Sequence, residues 1–222
     1  GIDGTPVLDV DCSQITSGDA ESFTALTGQT VSINRSTSGR KSVAVVSPCW
    51  LFGTDDYMEV SDNALLNFGA DDSFTVLVAY REWATWPDNG RIIDKRGDIN
   101  DLTGYGLHHA KTSTSWTASL DDGPNVVYYG KQAVAYGEFT TVGVLVDRTA
   151  QTLSTTDNGA IGTGATDISS IGDLTNPFPL RIGRLASGTF YGDFELVAAA
   201  VFRRALTSGE LETLSTYFQS RG

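Results

Sequence analysis

Positive charge is scarce in this sequence of 222 residues. Lys and Arg number 15 against 27 Asp and Glu, so the formal net charge is -12 and the pI is about 4.4. Nucleic acids and anionic membrane surfaces both need Lys and Arg in patches, so both partners are disfavoured. We expect the acidity to keep the protein in solution, with a cation site lined by carboxylates as the alternative.

Long apolar runs are also missing. The most apolar run, Leu196–Phe202, is bounded by Glu195 and Arg203 and is far shorter than the ~20 residues that span a bilayer. We therefore expect no membrane insertion. The chain begins at Gly1 without a Met or a signal-like segment, and we expect a processed chain or a piece of a longer one.

The sequence has only two cysteines, Cys12 and Cys49. A disulfide between them would close a loop of about 36 residues and stabilise the fold by roughly 3–4 kcal/mol. The alternative is two buried thiols, because free cysteine is among the most buried residue types. Both interpretations stay open, and two cysteines do not fix the redox compartment.

The motifs of several enzyme classes are absent. No Gly-x-Ser-x-Gly elbow supports a Ser-His-Asp hydrolase, and neither a phosphate-binding loop nor a dinucleotide fingerprint occurs. Two cysteines and two histidines offer no short-spaced zinc ligands apart from the adjacent pair His108 and His109. The sequence therefore gives no support to these hydrolases, nucleotide-binding enzymes or zinc proteins.

What the sequence does contain is a series of short strand patterns separated by turn signals every 8–14 residues. This spacing is typical of a β-sandwich, and the 24 glycines fit frequent turns. The polar stretch Ser13–Gly28 is interpreted as a connection. The predicted strands are Val7–Val10, Tyr57–Val60, Phe74–Trp83, Arg91–Lys95, Gly104–Ala110, Ser115–Leu120, Asn125–Tyr129, Phe139–Val146, Gln151–Thr155, Leu180–Arg184 and Phe194–Phe202.

One helix is predicted, at the C-terminus. Thr207 and Glu210 form a capping-box pattern, and Leu211, Leu214 and Phe218 follow at helical spacing. The apolar stripe predicts packing across a sheet. Because the sequence shows no repeat, linker or low-complexity segment, we expect residues 1–222 to form one domain.

Several motifs, taken in order, carry a family resemblance. They are Trp50–Val60, Phe74–Tyr80, Leu180–Gly183, Phe190–Val197 and Phe202–Leu211. Together they resemble the laminin G-like, concanavalin A-like jelly rolls of the lectin–glucanase type, particularly bacterial and bacteriophage members. The resemblance covers Pro48 to Gly222, leaves residues 1–47 outside, and implies an all-β, two-sheet antiparallel jelly-roll sandwich with one C-terminal helix. The chain departs from the family at Glu195, where Asp is usual, and at Ser154 or Thr155, where Tyr is usual.

The enzymes of that family use residues that this chain lacks. Its glycoside hydrolases carry a Glu-x-Asp-x-x-Glu string, which places two carboxylates on one face of a strand. Asp193 and Glu195 have part of that spacing but fall where the family has a structural turn. Its polysaccharide lyases need a Gln-x-His element, whereas His108 and His109 would point to opposite faces of a strand. We therefore expect no enzyme.

Binding residues are sought among loop aromatics with polar neighbours. Trp83 and Trp116 are interpreted as core residues, and Tyr128 and Asp122 are considered beside the main candidates. The main candidates for a carbohydrate site are Trp86, Asp88, Asn89, Tyr105, His108 and Tyr129.

Calcium is the one cofactor that we expect the chain to bind, if it binds any. Many relatives in the resembled family hold one at the rim of the sandwich, with oxygen ligands. Asp56 and Glu195 are the first candidates, because both fall in turns that match the family. The alternative for every acidic turn here is ordinary turn chemistry, since Asp stabilises tight turns through its own side chain.

The resemblance implies a non-catalytic binding module that recognises carbohydrate or a host-surface glycan. We expect it to belong to an extracellular or virion protein, such as a phage tail or capsid-surface protein, and to contact other subunits of that assembly. One alternative is a purely structural or decoration module. A glycoside hydrolase or polysaccharide lyase is the second alternative.

Overall fold

The computed structural model describes residues 8–11, 22–25, 29–34, 50–51, 56–82, 90–97, 100–109, 115–133, 137–185 and 190–220. For residues 8–51 and 131–133 it describes the backbone alone. Several predictions therefore lie outside the described residues and stay predictions. They concern the pairing of Cys12 with Cys49 and the positions of Trp83, Trp86, Asp88 and Asn89.

The described residues form sixteen β-strands, a short 3-10 helix at Ala64–Leu66 and one α-helix, α1 (Ser208–Gln219). In chain order the strands are β1 (Leu8–Asp11), β2 (Ser22–Ala25), β3 (Gln29–Asn34), β4 (Trp50–Leu51), β5 (Tyr57–Val60), β6 (Phe74–Glu82), β7 (Arg91–Arg96), β8 (Gly104–His109), β9 (Ser115–Asp121), β10 (Val126–Ala133), β11 (Phe139–Asp147), β12 (Thr152–Asp157), β13 (Ala160–Ile161), β14 (Thr166–Asp167), β15 (Leu180–Ile182) and β16 (Phe194–Phe202).

The strands form two antiparallel sheets of eight described strands each. Sheet A has the order β1-β16-β6-β11-β12-β13, with β4 beside β16 and β14 beside β12. Sheet B has the order β10-β9-β8-β7-β15-β5-β3-β2. The prediction of a two-sheet antiparallel sandwich with one C-terminal helix is thus confirmed. No helix within the described ranges is long and apolar enough to cross a membrane.

The core lies between the sheets and is built by strand alternation. Along β6, Phe74, Val76, Val78 and Tyr80 point inward to sheet B. The ring of Phe74 stacks on Phe68 at 4.1 Å between centroids and lies 5.0 Å from the ring of Tyr105 in β8. This aromatic cluster joins the two sheets at their centre.

Helix α1 covers the outer face of sheet A. The Glu210 carboxylate accepts hydrogen bonds from the Thr207 backbone N–H and hydroxyl, each at 2.9 Å, so the predicted capping box is present. Leu211 and Phe218 are buried against the outward residues of sheet A, among them Leu77. The predicted apolar stripe therefore packs as expected.

The N-terminal part of sheet B differs from the prediction. Ser13–Gly28 was interpreted as a connection, whereas Ser22–Ala25 within it forms β2. Its pairing is supplied by β3, which in turn pairs with β5, with Val31 opposite both Phe23 and Val60. Because the strand is short and polar, its hydrogen-bonded neighbours rather than its own apolar pattern determine its conformation.

A buried ammonium group joins β7 to two loops. Lys95 is fully buried, and its Nζ donates to Asp62 Oδ1 at 3.0 Å and Asn67 Oδ1 at 3.2 Å. It also donates to the backbone and side-chain oxygens of Asn176, at 3.1 and 3.0 Å. Burial lowers the pKa of Lys95, while the hydrogen bond and charge of Asp62 oppose this shift. The ammonium group of Lys95 therefore links the loops that carry Asp62, Asn67 and Asn176.

Replacing this ammonium should destabilise the protein. In Lys95→Met, the oxygens of Asn67 and Asn176 lose their donor, and we expect the free energy of unfolding to fall by about 2–3 kcal/mol. Urea denaturation of both proteins measures the difference. A fall of less than about 0.5 kcal/mol, which is typical of surface substitutions, would contradict the role assigned to Lys95.

Candidate functional site

The outward face of sheet B carries charged side chains. In β8, Tyr105 and Leu107 point into the core, so Gly104, Gly106 and His108 point the other way. The same face can be followed from strand to strand, because residues directly opposite one another in paired strands point to the same side of the sheet. One row of opposed residues runs Glu59, Arg181, Asp94, Gly106, Ser119 and Tyr128.

A neighbouring row adds Arg91 opposite His108. A register shift between Arg91 and Ile93 makes Ile92 a bulge residue, so that Arg91 shares the outward face with Asp94. We call this surface the polar face. It is formed by Glu59, Arg91, Asp94, Arg96, His108, Ser119, Tyr128 and Arg181.

An ion pair lies at the centre of the polar face. Arg96 donates to Asp94 through Nε at 3.1 Å to Oδ1 and through Nη2 at 2.5 Å to Oδ2. Asp94 is 2% exposed and Arg96 1% exposed. Two buried charges need this close pairing, because either of them alone would carry a large desolvation cost.

Arg91 adds a second guanidinium beside the same carboxylate. Its Nε lies 3.5 Å from Asp94 Oδ2. Burial, as the largest cause, lowers the pKa of Arg91 to about 10, so the side chain is still cationic at neutral pH. Two guanidiniums therefore share one carboxylate, which leaves a surplus of positive charge at this point of an otherwise acidic protein.

Glycine is required between these charges. A Cβ atom at Gly106 would lie 2.8 Å from Asp94 Oδ2 and 3.2 Å from Arg96 Nη2. Any other residue at this position would therefore displace the ion pair. Gly106, Asp94 and the arginines were not predicted from the sequence. The alternation of Gly104 and Gly106 with Tyr105 and Leu107 is a pattern that could have indicated a crowded face at this strand.

Three buried polar atoms of the polar face have no hydrogen-bond partner among the described residues. They are Arg91 Nε, His108 Nδ1 and Arg181 Nη1. Arg181 still donates through Nε to Glu59 Oε2 at 2.8 Å. A buried polar atom without a partner costs about 1–3 kcal/mol, and these three atoms are enclosed by the protein, so each carries such a cost in this structure.

The surroundings of the His108 imidazole lower its pKa. Burial is the largest cause that lowers its pKa to about 2, followed by the charges of Arg91, Arg96 and His109. His108 is therefore neutral at physiological pH. Its neutrality therefore results mainly from burial, with a smaller contribution from the arginines.

Aromatic rings lie at both ends of the polar face. At the β10 end, Tyr128 is 53% exposed and its ring meets the ring of His108 edge-on at 6.4 Å. At the other end, the Arg184 guanidinium lies 4.4 Å from the centroid of Tyr57 and 5.5 Å from that of Tyr191. An exposed ring beside directed polar groups is the combination that small-ligand sites use.

Two of the predicted carbohydrate-binding tyrosines point inward instead. Tyr105 is 2% exposed and its hydroxyl donates to the Leu66 carbonyl at 3.1 Å, so its ring is not accessible to a sugar. Tyr129 packs against the core, and its hydroxyl fills the space beside Gly164. Alternation along β10 leaves Tyr128 as the outward ring. Trp116 is fully buried, which confirms its interpretation as a core residue.

The adjacent histidines do point in opposite directions. His108 belongs to the polar face, whereas His109 is buried and its Nε2 contacts the Glu82 carboxylate of sheet A. The hydroxyl of Tyr80 lies 3.4 Å from the same Glu82 carboxylate. This second polar cluster lies between the sheets and is part of the core.

Both predicted calcium ligands are buried. Asp56 is buried directly before β5, and Glu195 in β16 accepts a hydrogen bond from Arg81 Nε at 2.7 Å. Within the described part of the chain, no three His, Cys, Asp or Glu side chains are grouped so that they could hold a metal ion. Asp56 and Glu195 are therefore not part of such a group among the described residues. Calcium binding stays a prediction, which melting temperatures with and without a chelator would test.

Comparison with known proteins supports the fold. No protein-family model and no curated protein matches the chain. The solved binding domain of botulinum neurotoxin DC in complex with rat synaptotagmin II is similar at a TM-score of 0.69 and 12% identity, over 96% of this chain and 52% of that one. The Ruminococcus gnavus IT-sialidase CBM40 bound to α2,3-sialyllactose is similar at a TM-score of 0.55 and 15% identity, over 66% and 84% of the two chains.

A third similar structure is an enzyme. The Trypanosoma rangeli sialidase in complex with sialic acid matches at a TM-score of 0.62 and 13% identity, over 92% of this chain but only 32% of that one. The chain spans about half the length of the toxin binding domains that it resembles. At such identities these likenesses show a shared β-sandwich fold and nothing finer.

The state of His108 predicts a pH-dependent stability. An unfolded His takes up a proton near pH 6.5, whereas the folded His108 resists protonation down to about pH 2. The unfolded state thus binds more protons in this window, so stability falls as the pH falls below about 6.5. Relative to His108→Gln, the native protein should lose about 1.4 kcal/mol for each pH unit below about 6.

Urea denaturation of both proteins at pH 7 and pH 5 measures this difference. His109 is present in both and cancels from the comparison. Parallel losses of stability in the two proteins would contradict the neutral, buried state assigned to His108.

Proposed function

We propose that the protein is a non-catalytic binding module that recognises glycans through the polar face. The observation that carries this proposal is the ring of Tyr128, which is 53% exposed and lies edge-on to the ring of His108 at the β10 end of the polar face. Sugars pack their C–H faces against exposed aromatic rings and direct their hydroxyl groups to polar groups nearby. One accessible aromatic ring therefore lies beside the polar side chains of this face.

The fold likeness is in keeping with this proposal. Among the similar structures, one CBM40 is bound to α2,3-sialyllactose and one botulinum neurotoxin binding domain is in complex with SialylT. Because the fold alone is shared, the binding function of this chain is argued from the residues of its own polar face.

The carboxylates of the polar face favour binding over catalysis. Glycoside hydrolysis needs two carboxyl groups flanking the bond, one of which donates a proton. Asp94 is held by Arg96 through both of its oxygens, and Glu59 accepts a hydrogen bond from Arg181. Both carboxylates thus hold arginines in place, which is a positioning role.

The finer assignments extend the same proposal. We place the module in the laminin G-like, concanavalin A-like jelly-roll group, within an extracellular or virion protein whose other subunits it contacts. A structural or decoration module, which would bind no glycan, is the main alternative. Trp86, Asp88 and Asn89 remain candidates for a loop contribution to the glycan site.

Tyr128 provides the test of the proposed function. Tyr128→Ala removes the exposed ring, and we expect glycan affinity to fall by about 2 kcal/mol, or roughly 30-fold. A glycan array followed by calorimetry on the best ligand measures the effect. Tyr217→Ala is the matched control, because Tyr217 is 49% exposed on α1, which covers the other sheet.

The control should bind as the native protein does. If no glycan binds at high concentration, the proposed function is wrong and the structural alternative is favoured. If Tyr217→Ala weakens binding and Tyr128→Ala does not, glycans are bound elsewhere.

A further inference from the structure

We infer that the side chains of Lys95 and Asn67 react with each other after folding, with Asp62 as the proton carrier, to form an internal amide cross-link. Ammonia is the only product released. This modification site is independent of the proposed function. It depends on three features of the structure: a buried amine, a side-chain amide against it, and a carboxylate that contacts both nitrogens.

Lys95 supplies the nucleophile. Its side chain is fully buried and lies opposite Tyr105, whose ring points into the core, so the amine is on the inner side of sheet B. Burial, as the largest cause, lowers the pKa of Lys95, while Asp62 opposes this shift. Only the neutral amine attacks a carbonyl carbon, and removing a lysine from water favours that form.

The side-chain amide of Asn67 supplies the carbon that is attacked. Lys95 Nζ lies 3.2 Å from Asn67 Oδ1, so Cγ, which is bonded to this oxygen, is next to the amine. The backbone N–H of Asn176 donates to the same oxygen at 3.3 Å, where negative charge develops during the attack. Because the fold holds both groups in place, their effective concentration far exceeds that of a free amine and amide.

Asp62 contacts both nitrogens that exchange protons. Its Oδ1 accepts a hydrogen bond from Lys95 Nζ at 3.0 Å and another from Asn67 Nδ2 at 3.0 Å. A general acid–base group acts at about 2.6–3.2 Å from the atom whose proton it transfers. A single carboxylate oxygen is therefore placed to take a proton from the amine and deliver it to the departing nitrogen.

The reaction balances without any co-reactant. Asp62 takes one proton from the Lys95 ammonium, and the neutral Nζ attacks Asn67 Cγ. The Nζ–Cγ bond forms, Asp62 gives its proton to Nδ2, and the Cγ–Nδ2 bond breaks. Asp62 then takes the second Nζ proton and passes it to the ammonia, which leaves as ammonium. The side chain of Asp62 is 36% exposed, so the product is released at the surface.

Asn176 is less suited to be the amide that reacts. Its Nδ2 donates to the backbone oxygens of Lys95 at 2.8 Å and Thr103 at 3.0 Å, and carbonyl oxygens have no proton to give to a departing nitrogen. Its side-chain and backbone oxygens accept hydrogen bonds from Lys95 Nζ at 3.0 and 3.1 Å. Asn176 is therefore a positioning residue that directs the amine towards Asn67.

The mass of the intact protein tests this inference. After folding, followed by reduction and denaturation, we expect nearly all molecules to be lighter than the sequence by one ammonia. A tryptic digest should contain one branched peptide that joins Lys95 to Asn67, because trypsin does not cleave after an acylated lysine. A native mass equal to that of the sequence would overturn the inference.

Ring closure at an Asn-Gly step would give the same change in mass. Asn89 and Asn158 each precede a glycine, and a succinimide formed there also expels ammonia. A succinimide leaves every peptide unbranched and is cleaved by hydroxylamine, whereas a side-chain amide survives that treatment. An ammonia loss without a branched peptide, or a branch from Lys95 to Asn176, would show that the assignment to Asn67 is wrong.

Two variants test the role of Asp62. Asp62→Asn keeps the size of the side chain but removes the proton carrier, so its mass should equal that of its own sequence. Asp72→Asn is the matched control, because Asp72 lies in the same connection between β5 and β6 but bonds to Gly69 and Arg203 instead. The control should lose ammonia as completely as the native protein does.

Thermal melting shows whether each variant is folded, and the native mass decides the inference even where a variant fails to fold. Complete ammonia loss in folded Asp62→Asn would exclude Asp62 as the proton carrier. If both folded variants keep their ammonia, the reaction depends on the connection as a whole, and the role assigned to Asp62 is overturned.

Discussion

The burial of Asp94 and Arg96 on the outward side of sheet B is the constraint from which the rest of the site follows. Two charges removed from water are tolerated only when each compensates the other at close range. Their pairing uses both carboxylate oxygens, excludes a side chain at Gly106, and leaves Arg91 with partial compensation. The geometry of this one ion pair therefore restricts both the residue at position 106 and the contact that Arg91 makes with Asp94.

The two sheets differ in what covers them. Sheet A is packed on its inner side by sheet B and on its outer side by α1, so its central strands β6 and β16 carry apolar residues on both faces. Sheet B is apolar only on its inner side, and among the described residues no helix covers its outer side. The outer side of sheet B therefore carries polar side chains, most of which are buried, while α1 packs on the other sheet.

Much of the fold could be predicted from the sequence because the signals were local. Continuous apolar runs located the central strands β6 and β16, and the Thr207–Glu210 pattern located the start of the helix. The short strand β2 could not be found in this way, since its conformation depends on pairing with β3, which in turn pairs with β5.

The site was harder to predict because its residues become neighbours only through the pairing of adjacent strands. Arg91 and Asp94 are three residues apart, a spacing that puts two side chains on opposite faces of a regular strand. The bulge at Ile92 returns them to one face, and no residue type in the sequence indicates that a bulge occurs there. Searching loops for aromatics gave Tyr105 and Tyr129, which point inward, whereas parity relative to the core strands would have selected Tyr128.

The most direct measurement of the central claim is nuclear magnetic resonance of the labelled protein with a bound glycan. The account predicts that the largest shifts of backbone amides fall in β7, β8, β9, β10 and β15, with Gly106 and His108 among them. Shifts concentrated instead on α1 or on the strands of sheet A would contradict it, because the ligand would then occupy a surface that the polar face does not include.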